Sequence, residues 1–366
     1  MQTIAIVYGG ESCEHDVSVI TALSAYHVAK MKYQTYLVYY KDNTFWVGDV
    51  LKDVSFYANG EKKGLRECRF EKNRLVVRSR WQEKRYVVDC VLVACHGGAG
   101  ENGSLAGYFE TIGMPYSSSE PYGSALFMDK SFTKDFLTRY RISFVHAITV
   151  KEGEPIPEPY EYPVIVKPAS LGSSVGIGIA RDPKELEEKV AEAFRFDRKI
   201  LLETCLTNFR EFNCAVCRKG EEIVASEVEE PVFKKEYLDF YDKYCDGETA
   251  RRVLPAEIDE KLREKIRATA KSIYAKAELK GVVRVDYLFD GKKLFVNEIN
   301  TVPGSLALYL FAPLGIRGID VLRWIIDDAI DTFTQKQKKR SDFSSDVLRN
   351  YDEKKGTKGI KGGVKK

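Results

Sequence analysis

The sequence predicts an α/β protein whose N-terminal part is built on a mostly parallel sheet. Apolar runs typical of strands occur at residues 3–8, 35–40 and 87–94, and a helical pattern through Lys30 follows the first of them. Such alternation is typical of a sheet with helices packed on its faces. A hairpin pattern at residues 281–304 adds antiparallel structure. With 366 residues, 44% of them hydrophobic, the chain is long enough for two or three domains.

Two glycine-rich loops follow strands of this predicted sheet. The first spans residues 9–18 and contains Glu14, and it lacks the third glycine of a dinucleotide-binding fingerprint. The second spans residues 96–103 and contains His96 and Glu101. Ligands collect beyond the carboxyl ends of parallel strands, so both loops are candidate walls of a substrate site. Each loop taken alone is equally typical of an ordinary turn.

A third glycine-rich loop follows a strand that carries Lys167. Pro168 ends the strand, and Ser173 and Ser174 then lie between Gly172 and a further glycine. Backbone N–H groups in such a loop can approach phosphate oxygens closely. The loop lacks the Gly-Lys-Ser/Thr sequence of a P-loop, so a nucleotide would be held differently, and a plain flexible hairpin is the alternative.

The next segments carry acidic residues and a long aperiodic loop. A strand ends at Glu203, and Glu211 follows one short loop later. An acidic residue after a strand often accepts hydrogen bonds from adenine or ribose, although a solvated carboxylate is as common. Residues 237–248, which include Lys243 and Tyr244, are polar and aromatic without periodicity, as in a loop that closes over a site.

The hairpin near the C-terminus is the strongest local pattern. Alternating apolar residues flank Asp290-Gly291, a sequence typical of a hairpin turn. Because strand side chains alternate between faces, Arg284 and Asp286 share one face, and Glu298 and Asn300 share a face of the second strand. If the two polar faces coincide, their oxygens form the kind of ligand set that Mg²⁺ prefers beside substrate phosphates. A solvated, charged hairpin face is the alternative.

Composition limits the remaining function classes. No run of 18 apolar residues exists, and the N-terminus leads directly into a strand, so we expect neither a membrane span nor a signal peptide, and a cytoplasmic location. The eight cysteines suit buried free thiols better than disulfides. Residues 335–366 carry eleven Lys/Arg and four Asp/Glu, which predicts a solvated basic tail.

Taken together, the motifs resemble the D-alanine:D-alanine ligase family of ATP-grasp enzymes over about residues 1–334. The match rests on Ser-Cys-Glu14-His-Asp-Val-Ser, His96-Gly-x-x-Gly-Glu101, Lys167-Pro-x-x-x-Gly-Ser173-Ser-x-Gly, Arg284-x-Asp286 and Glu298-x-Asn300-Thr-x-Pro-Gly304. The resemblance implies an ATP-grasp fold preceded by a Rossmann-like parallel-sheet domain. The domains implied are an N-terminal substrate domain (1–118), two ATP-grasp subdomains (119–203 and 204–334) and a basic disordered tail (335–366).

The resemblance also implies a role for individual residues. Lys130, Lys167 and Lys243 would contact the phosphates, and Glu203, Leu206 and Glu211 would contact adenine and ribose. Asp286, Glu298 and Asn300 would bind two Mg²⁺ (or Mn²⁺) ions. Glu14, Ser173 and Tyr244 would hold the first amino acid and the lid loop, and Arg284 and the Gly304 amide would face the developing tetrahedral centre.

The activity implied is the ATP-dependent joining of two D-alanines through an acylphosphate, which gives D-alanyl-D-alanine for peptidoglycan. The expected partners are ATP and D-alanine, with no membrane and no specific nucleic acid, and a homodimer is left open.

Four positions depart from the family pattern, namely Asn102, Ala106, Cys205 and Tyr309. Tyr309 stands where a serine usually holds the second substrate's carboxylate. The alternatives are therefore a sister ligase that uses D-serine, D-lactate or an L-amino acid, or a silent nucleotide-binding module.

Overall fold

Strands form three sheets in the described part of this computed structural model, which comprises residues 1–59, 63–159, 161–173, 175–233 and 250–339. The predicted site residues Ser174, Lys243 and Tyr244 lie outside it. The helices are α1 (His15–Ala29), α2 (Ser55–Asn59), α3 (Gly98–Glu101), α4 (Ser104–Thr111), α5 (Pro121–Met128), α6 (Lys130–Arg139), α7 (Pro183–Ala193), α8 (Glu260–Lys276) and α9 (Gly318–Gln337), with 3-10 segments at Asp49–Lys52 and Gly304–Leu314.

The first sheet has seven strands in the order β6-β5-β4-β3-β2-β1-β7. Strand β1 is parallel to its neighbours β2 and β7, whereas the other neighbouring pairs are antiparallel, so the sheet is mixed rather than mostly parallel. Asp42, Asn43 and Asn73 adopt positive φ angles at two of its tight hairpin turns, as such turns require. The strands are β1 (Thr3–Gly9), β2 (Gln34–Lys41), β3 (Thr44–Val47), β4 (Arg66–Glu71), β5 (Arg74–Arg78), β6 (Glu83–Val87) and β7 (Cys90–Val93).

The second sheet has four antiparallel strands in the order β10-β9-β11-β8. Helix α7 packs on it through Leu186 and Val190, and the Asp182 side chain accepts from the Glu185 N–H at 2.8 Å, as the Asp-Pro start signal predicts. The strands are β8 (Ala147–Lys151), β9 (Val164–Pro168), β10 (Gly178–Ala180) and β11 (Lys199–Thr204).

The third sheet has five antiparallel strands in the order β14-β13-β12-β15-β16. Helix α8 buries Ile266, Ala270 and Ile273 against the apolar residues of one face, and this leaves the other face to polar side chains. The strands are β12 (Arg210–Lys219), β13 (Glu222–Phe233), β14 (Ala250–Val253), β15 (Val283–Phe289) and β16 (Leu294–Asn300).

Residues Met1–Ile330 form one compact unit, and the described residues after Ile330 belong to a second. Helix α9 ends at Gln337, so its last three residues belong to the predicted tail, and residues 340–366 lie outside the described part. Within that part no single helix has the length and apolar composition of a membrane span, although Gly304–Leu314 and α9, bent by 118°, meet both criteria as a pair. The seven cysteines it covers are all free, as predicted.

Candidate active site

The hairpin predicted at residues 281–304 is present as β15 and β16. Its turn begins at Asp290, whose carboxylate accepts from the N–H groups of Lys292 and Lys293 at 2.8 and 2.6 Å. The register pairs Asp286 with Glu298 and Arg284 with Asn300, so the two polar faces coincide. Alternation along each strand therefore brings four predicted site residues together.

Cations hold the carboxylates of this face. Arg284 donates two hydrogen bonds to Asp286, at 2.6 and 2.7 Å, and the Asn300 amide donates to the same carboxylate at 3.0 Å. Lys130 Nζ, on α6, lies 3.4 Å from Oε1 of Glu298. Two carboxylates and an amide oxygen on adjacent strands form a donor set that fits a hard divalent cation. No cluster of three or more His, Cys, Asp or Glu of the metal-binding kind occurs in the described ranges, so such an ion would need substrate oxygens as further ligands.

An open cavity adjoins this face and collects residues from distant parts of the chain. Its walls combine acidic residues of both N-terminal loops, a lysine of α6, the third glycine-rich loop and the end of β16. The lining residues are Glu14, Glu101, Phe127, Met128, Lys130, Leu171, Gly172, Glu298, Ile299, Asn300 and Thr301. The cavity therefore joins the predicted substrate walls to the predicted phosphate and metal residues.

Glu203 lies at the centre of a buried charge cluster beside the cavity. Its carboxylate meets Lys167 Nζ at 2.5 Å and Lys134 Nζ at 2.8 Å, and the residue is only 4% exposed. Burial alone would raise the pKa of Glu203, but the two lysines outweigh it and hold that pKa below its usual value. Lys134 was not predicted, although it lies four residues after Lys130 on α6 and hence on the same helix face.

Ser173 and Glu14 meet across the third glycine-rich loop, where the Ser173 hydroxyl donates to a Glu14 oxygen. Glu14 is 9% exposed, and glycines flank it closely. A Cβ atom at Gly97 or Gly172 would lie 2.9 Å from Glu14 Oε2. The absence of side chains there is what allows both loops to approach this carboxylate.

His96 forms a buried link between α1 and the chain around Gly304. Its Nδ1 lies 2.7 Å from the Val302 carbonyl and its Nε2 lies 2.8 Å from the Thr21 hydroxyl, which in turn accepts from the Ser305 N–H at 2.9 Å. Burial lowers the pKa of His96 to about 4. A neutral ring that donates through Nδ1 satisfies these contacts, so the geometry gives His96 a positioning role for the Gly304 turn.

Glu101 supports the same turn from the other side. Its carboxyl oxygens accept from the N–H groups of Gly97 at 2.8 Å and Val302 at 3.2 Å. Burial, with the charges of Glu14 and Glu298 nearby, raises the pKa of Glu101 to about 8. Glu14, Glu101 and Glu298 all line the cavity, and carboxyl groups this close disfavour simultaneous ionisation, so burial and charge favour the protonated form of Glu101.

We expect this proton to be visible in the pH dependence of stability. The pKa of Glu101 rises from an ordinary 4.5 to about 8 in the fold, so between these values the folded state binds more protons than the unfolded state. The free energy of unfolding should therefore fall as pH rises through this window and level off above it. Glu101→Gln should flatten that slope, measured as Tm from pH 5 to 8. Parallel Tm profiles for the two proteins would contradict the assignment.

The remaining predicted residues lie at the edges of the site. Leu206 and Glu211 fall where the chain passes from β11 to β12, and Glu211 pairs with Leu288 of β15. Gly304 begins the 3-10 segment, in which Ser305, Leu306 and Ala307 all adopt positive φ angles near 50°. Three consecutive non-glycine residues in this region store strain of about 1–2 kcal/mol each, a feature that clusters at functional sites.

Tyr309 is bonded differently from the sequence-based expectation that it donates to a substrate. Its hydroxyl donates to Glu229 Oε2 at 3.0 Å and accepts from Arg252 Nη1 at 2.9 Å. Burial, with the charge of Glu229, raises the pKa of Tyr309 to about 12, and Arg252 and Arg284 partly offset these effects. The sequence reasoning missed Glu229 and Arg252, and a tyrosine at a serine position was the only signal for polar partners there.

The fold and this cavity define an ATP-grasp ligase. The family model "D-ala D-ala ligase N-terminus" matches residues 3–119, and "D-ala D-ala ligase C-terminus" matches residues 143–321. The chain belongs to the D-alanine--D-alanine ligase family, as the motifs indicated, and it is an ATP-dependent ligase.

Individual relatives agree over nearly the whole chain. The D-alanine--D-alanine ligase of Thermosipho melanesiensis is 34% identical over 363 residues, covering 95% of this chain and 99% of that protein. The structure of the D-alanine-D-alanine ligase from Coxiella burnetii is 25% identical with a TM-score of 0.80, covering 92% and 96%. The VanG D-Ala:D-Ser ligase of Enterococcus faecalis shares the fold at 23% identity and a TM-score of 0.75, covering 91% and 99%. Ligases named for different acceptors therefore share this architecture.

Proposed function

We propose that the protein joins two molecules of D-alanine, at the expense of ATP, into D-alanyl-D-alanine for peptidoglycan synthesis in the cytoplasm. The observation that carries this proposal is the cavity in which Glu14 and the Ser173 loop face Lys130, Glu298 and Asn300. One wall suits the ammonium group of an amino acid, and the other suits phosphate and its counter-ions. A carboxylate and a γ-phosphate held between these walls would lie next to each other.

The chemistry suits the residues of this chain. The carboxylate of the first D-alanine attacks the γ-phosphorus of ATP, and ADP leaves with the electrons of the broken P–O bond. The amine of the second D-alanine attacks the acyl carbon of the acylphosphate, phosphate leaves, and the amine loses a proton. Lys130 and Lys167 would bind phosphate oxygens, while Arg284 and the Gly304 amide would face the carbon that becomes tetrahedral. Phosphoryl transfer depends on such alignment and charge neutralisation.

Two Mg²⁺ ions, or Mn²⁺, would bind to Asp286, Glu298 and Asn300. When bound they neutralise the charge that builds on the transferring phosphoryl group. Arg284 contacts Asp286, and Lys130 contacts Glu298. Where a metal holds these carboxylates, we expect the side chains of Arg284 and Lys130 to turn toward substrate. Glu203, Leu206 and Glu211 remain our candidates for adenine and ribose, with Ser174 and Lys243 for phosphate and Tyr244 for the lid.

Phosphate release provides the test. Purified protein with ATP and Mg²⁺ is assayed against D-alanine, other D- and L-amino acids and D-lactate, each alone and in pairs with D-alanine. We expect D-alanine alone to give phosphate and dipeptide. A wild-type protein that releases no phosphate with any of them would support the silent nucleotide-binding module instead.

A second candidate is a sister ligase with a different acceptor, which the hydrogen bonds of Tyr309 to Glu229 and Arg252 favour. Tyr309 stands at the position of the usual serine, and with Glu229 and Arg252 it would give the acceptor region a different shape and charge. In the same panel, faster phosphate release from D-alanine paired with D-serine or D-lactate than from D-alanine alone would support this candidate.

Removal of residues 340–366 is expected to leave turnover unchanged. The family models match the chain only as far as residue 321, so this segment lies outside them, and it has no apolar periodicity. Initial rates at varied ATP and D-alanine concentrations check the prediction. A large rise in KM for ATP in the shortened protein would count against it.

A further inference from the structure

A row of polar side chains crosses four strands of the third sheet, and different residues contact its two ends. Glu229 on β13 pairs with Asn213 on β12, Asn213 pairs with Asp286 on β15, and Asp286 pairs with Glu298 on β16. With strands about 4.8 Å apart, the row is roughly 14 Å long. Lys130 contacts its Glu298 end, and Arg252 and Tyr309 contact its Glu229 end.

This order separates the binding functions along the row. Glu298 lines the cavity together with Glu14 and Lys130, so the first amino acid and the phosphate belong at that end. Arg284, on the strand between the two ends, would face the acyl carbon. The first amino acid and the phosphate take up the Glu298 end, so the amine of an acceptor would reach a face of the planar acyl group from the Glu229 end. Its carboxylate therefore needs a donor there.

The hydrogen bonds identify which group that donor is. Tyr309 has a single hydroxyl proton, and it donates this proton to Glu229, so it has none left for a substrate. The Asn213 amide also donates to Glu229, at 3.1 Å. Arg252 has five N–H donors, and its hydrogen bonds among the described residues use Nη1 alone. Its side chain is 61% exposed, so a substrate can reach it.

Glu229 has a buried oxygen that completes this arrangement. The carboxylate side chain is 2% exposed, and Oε1 has no hydrogen-bond donor in the described part of the chain. Arg252 Nη1 lies 3.7 Å from this atom, close enough for charge attraction. A buried carboxylate so placed fixes the guanidinium by its charge, while Tyr309 fixes it by a hydrogen bond and by its ring, 5.5 Å from the Arg252 Cζ.

We propose that Arg252, positioned by Tyr309 and Glu229, binds the carboxylate of the second substrate and restricts acceptors to α-amino or α-hydroxy acids with a free carboxylate. This inference rests on the proposed function. A guanidinium forms paired hydrogen bonds with a carboxylate and stays charged at all working pH values. Tyr309 and Glu229 act here as positioning residues.

The test compares two acceptors in one reaction. D-alaninamide has an amine but no carboxylate, so it can accept an activated D-alanine but cannot itself be activated. Mass spectrometry of a reaction with both compounds gives the ratio of D-alanyl-D-alanine to D-alanyl-D-alaninamide. Arg252→Met should lower this ratio roughly 10- to 150-fold, the loss expected for a hydrogen bond to a charged group. KM for ATP should stay unchanged.

Further variants separate binding from folding. Arg252→Lys keeps the positive charge but cannot form the paired hydrogen bonds of a guanidinium, so it should give an intermediate ratio of the two products. Tyr309→Phe and Glu229→Gln should raise the acceptor KM more than they lower kcat. Arg251→Met is the matched control, because alternation on β14 points Arg251 to the other face, and it should behave like wild type. Tm values verify that each variant is folded.

The outcomes distinguish this inference from the proposed function. If wild type makes dipeptide but Arg252→Met and Arg252→Lys, both folded, keep the wild-type product ratio, the role of Arg252 is wrong and the ligase activity stands. If wild type releases no phosphate with any amino acid, the proposed function fails and the inference fails with it.

Discussion

Glu298→Gln is expected to lower kcat roughly 10²- to 10³-fold, the loss typical of removing one electrostatic contact to a transition state. Glu298 faces Asp286 across the hairpin and lines the cavity, and it is one of two carboxylates available to a divalent cation there. The amide of glutamine keeps the shape of the side chain and removes its charge. Stability should change little, because the Glu298 side chain is 30% exposed and water screens its contact with Lys130.

The measurement is phosphate release at saturating ATP and D-alanine, repeated over a range of Mg²⁺ concentrations. Glu222→Gln makes the same change on an exposed residue of the same sheet and serves as the control. The variant should also require more Mg²⁺ for half-maximal rate. Near-native turnover with an unchanged Mg²⁺ requirement and an unchanged Tm would refute the assignment of Glu298 to a metal.

The hairpin could be predicted from the sequence because its information is local. Period-two alternation and the Asp290-Gly291 turn predict both strands and the polar face of each, whereas the register shift between Asp286 and Tyr287, which brings Glu298 opposite Asp286, was not predicted. The same holds for helix α7, whose start signal and apolar face are contained in a dozen residues. Such elements need no knowledge of the rest of the chain.

Pairings between distant strands could not be predicted in this way. Glu203 stays a predicted contact of adenine and ribose, and the structure also pairs it with Lys167, 36 residues earlier, because β11 and β9 are neighbours. Nothing within either strand specifies that neighbour. The sequence therefore predicts both residues near a nucleotide without indicating the ion pair that joins them.

The burial of individual side chains also could not be predicted from the sequence. Glu229 lies in the run Glu-Val-Glu-Glu, which is typical of a solvated strand, and yet it is 1% exposed. The strained turn after Gly304 brings Tyr309 over this strand, and three consecutive positive φ angles of non-glycine residues have no local sequence signature. The acceptor end of the site therefore became visible only in three dimensions.

Glu203→Gln is expected to have the largest effect on stability. It leaves Lys167 and Lys134, whose side chains are 12% and 13% exposed, without their shared counter-ion. Breaking a buried ion pair by removing one partner costs about 3–5 kcal/mol, or roughly 6–10 °C in Tm at about 2 °C per kcal/mol for a chain of this size. The KM for ATP should also rise, because Lys167 loses the contact that orients it toward phosphate.

The pH dependence and a double variant sharpen this test. The pKa of Glu203 is lowered in the fold, so its stabilisation is present above the ordinary pKa of 4.5 and is lost as pH falls through the folded value. The Tm difference from wild type should therefore shrink on acidification. Adding Lys134→Met to Glu203→Gln removes one unpaired charge, so the double variant should lose less stability than the sum of the single changes.

Glu188→Gln, on the exposed face of α7, is the control. A Tm within 1–2 °C of wild type, under about 1 kcal/mol on the same scale, would show that Glu203 does not hold the lysines as a buried counter-ion.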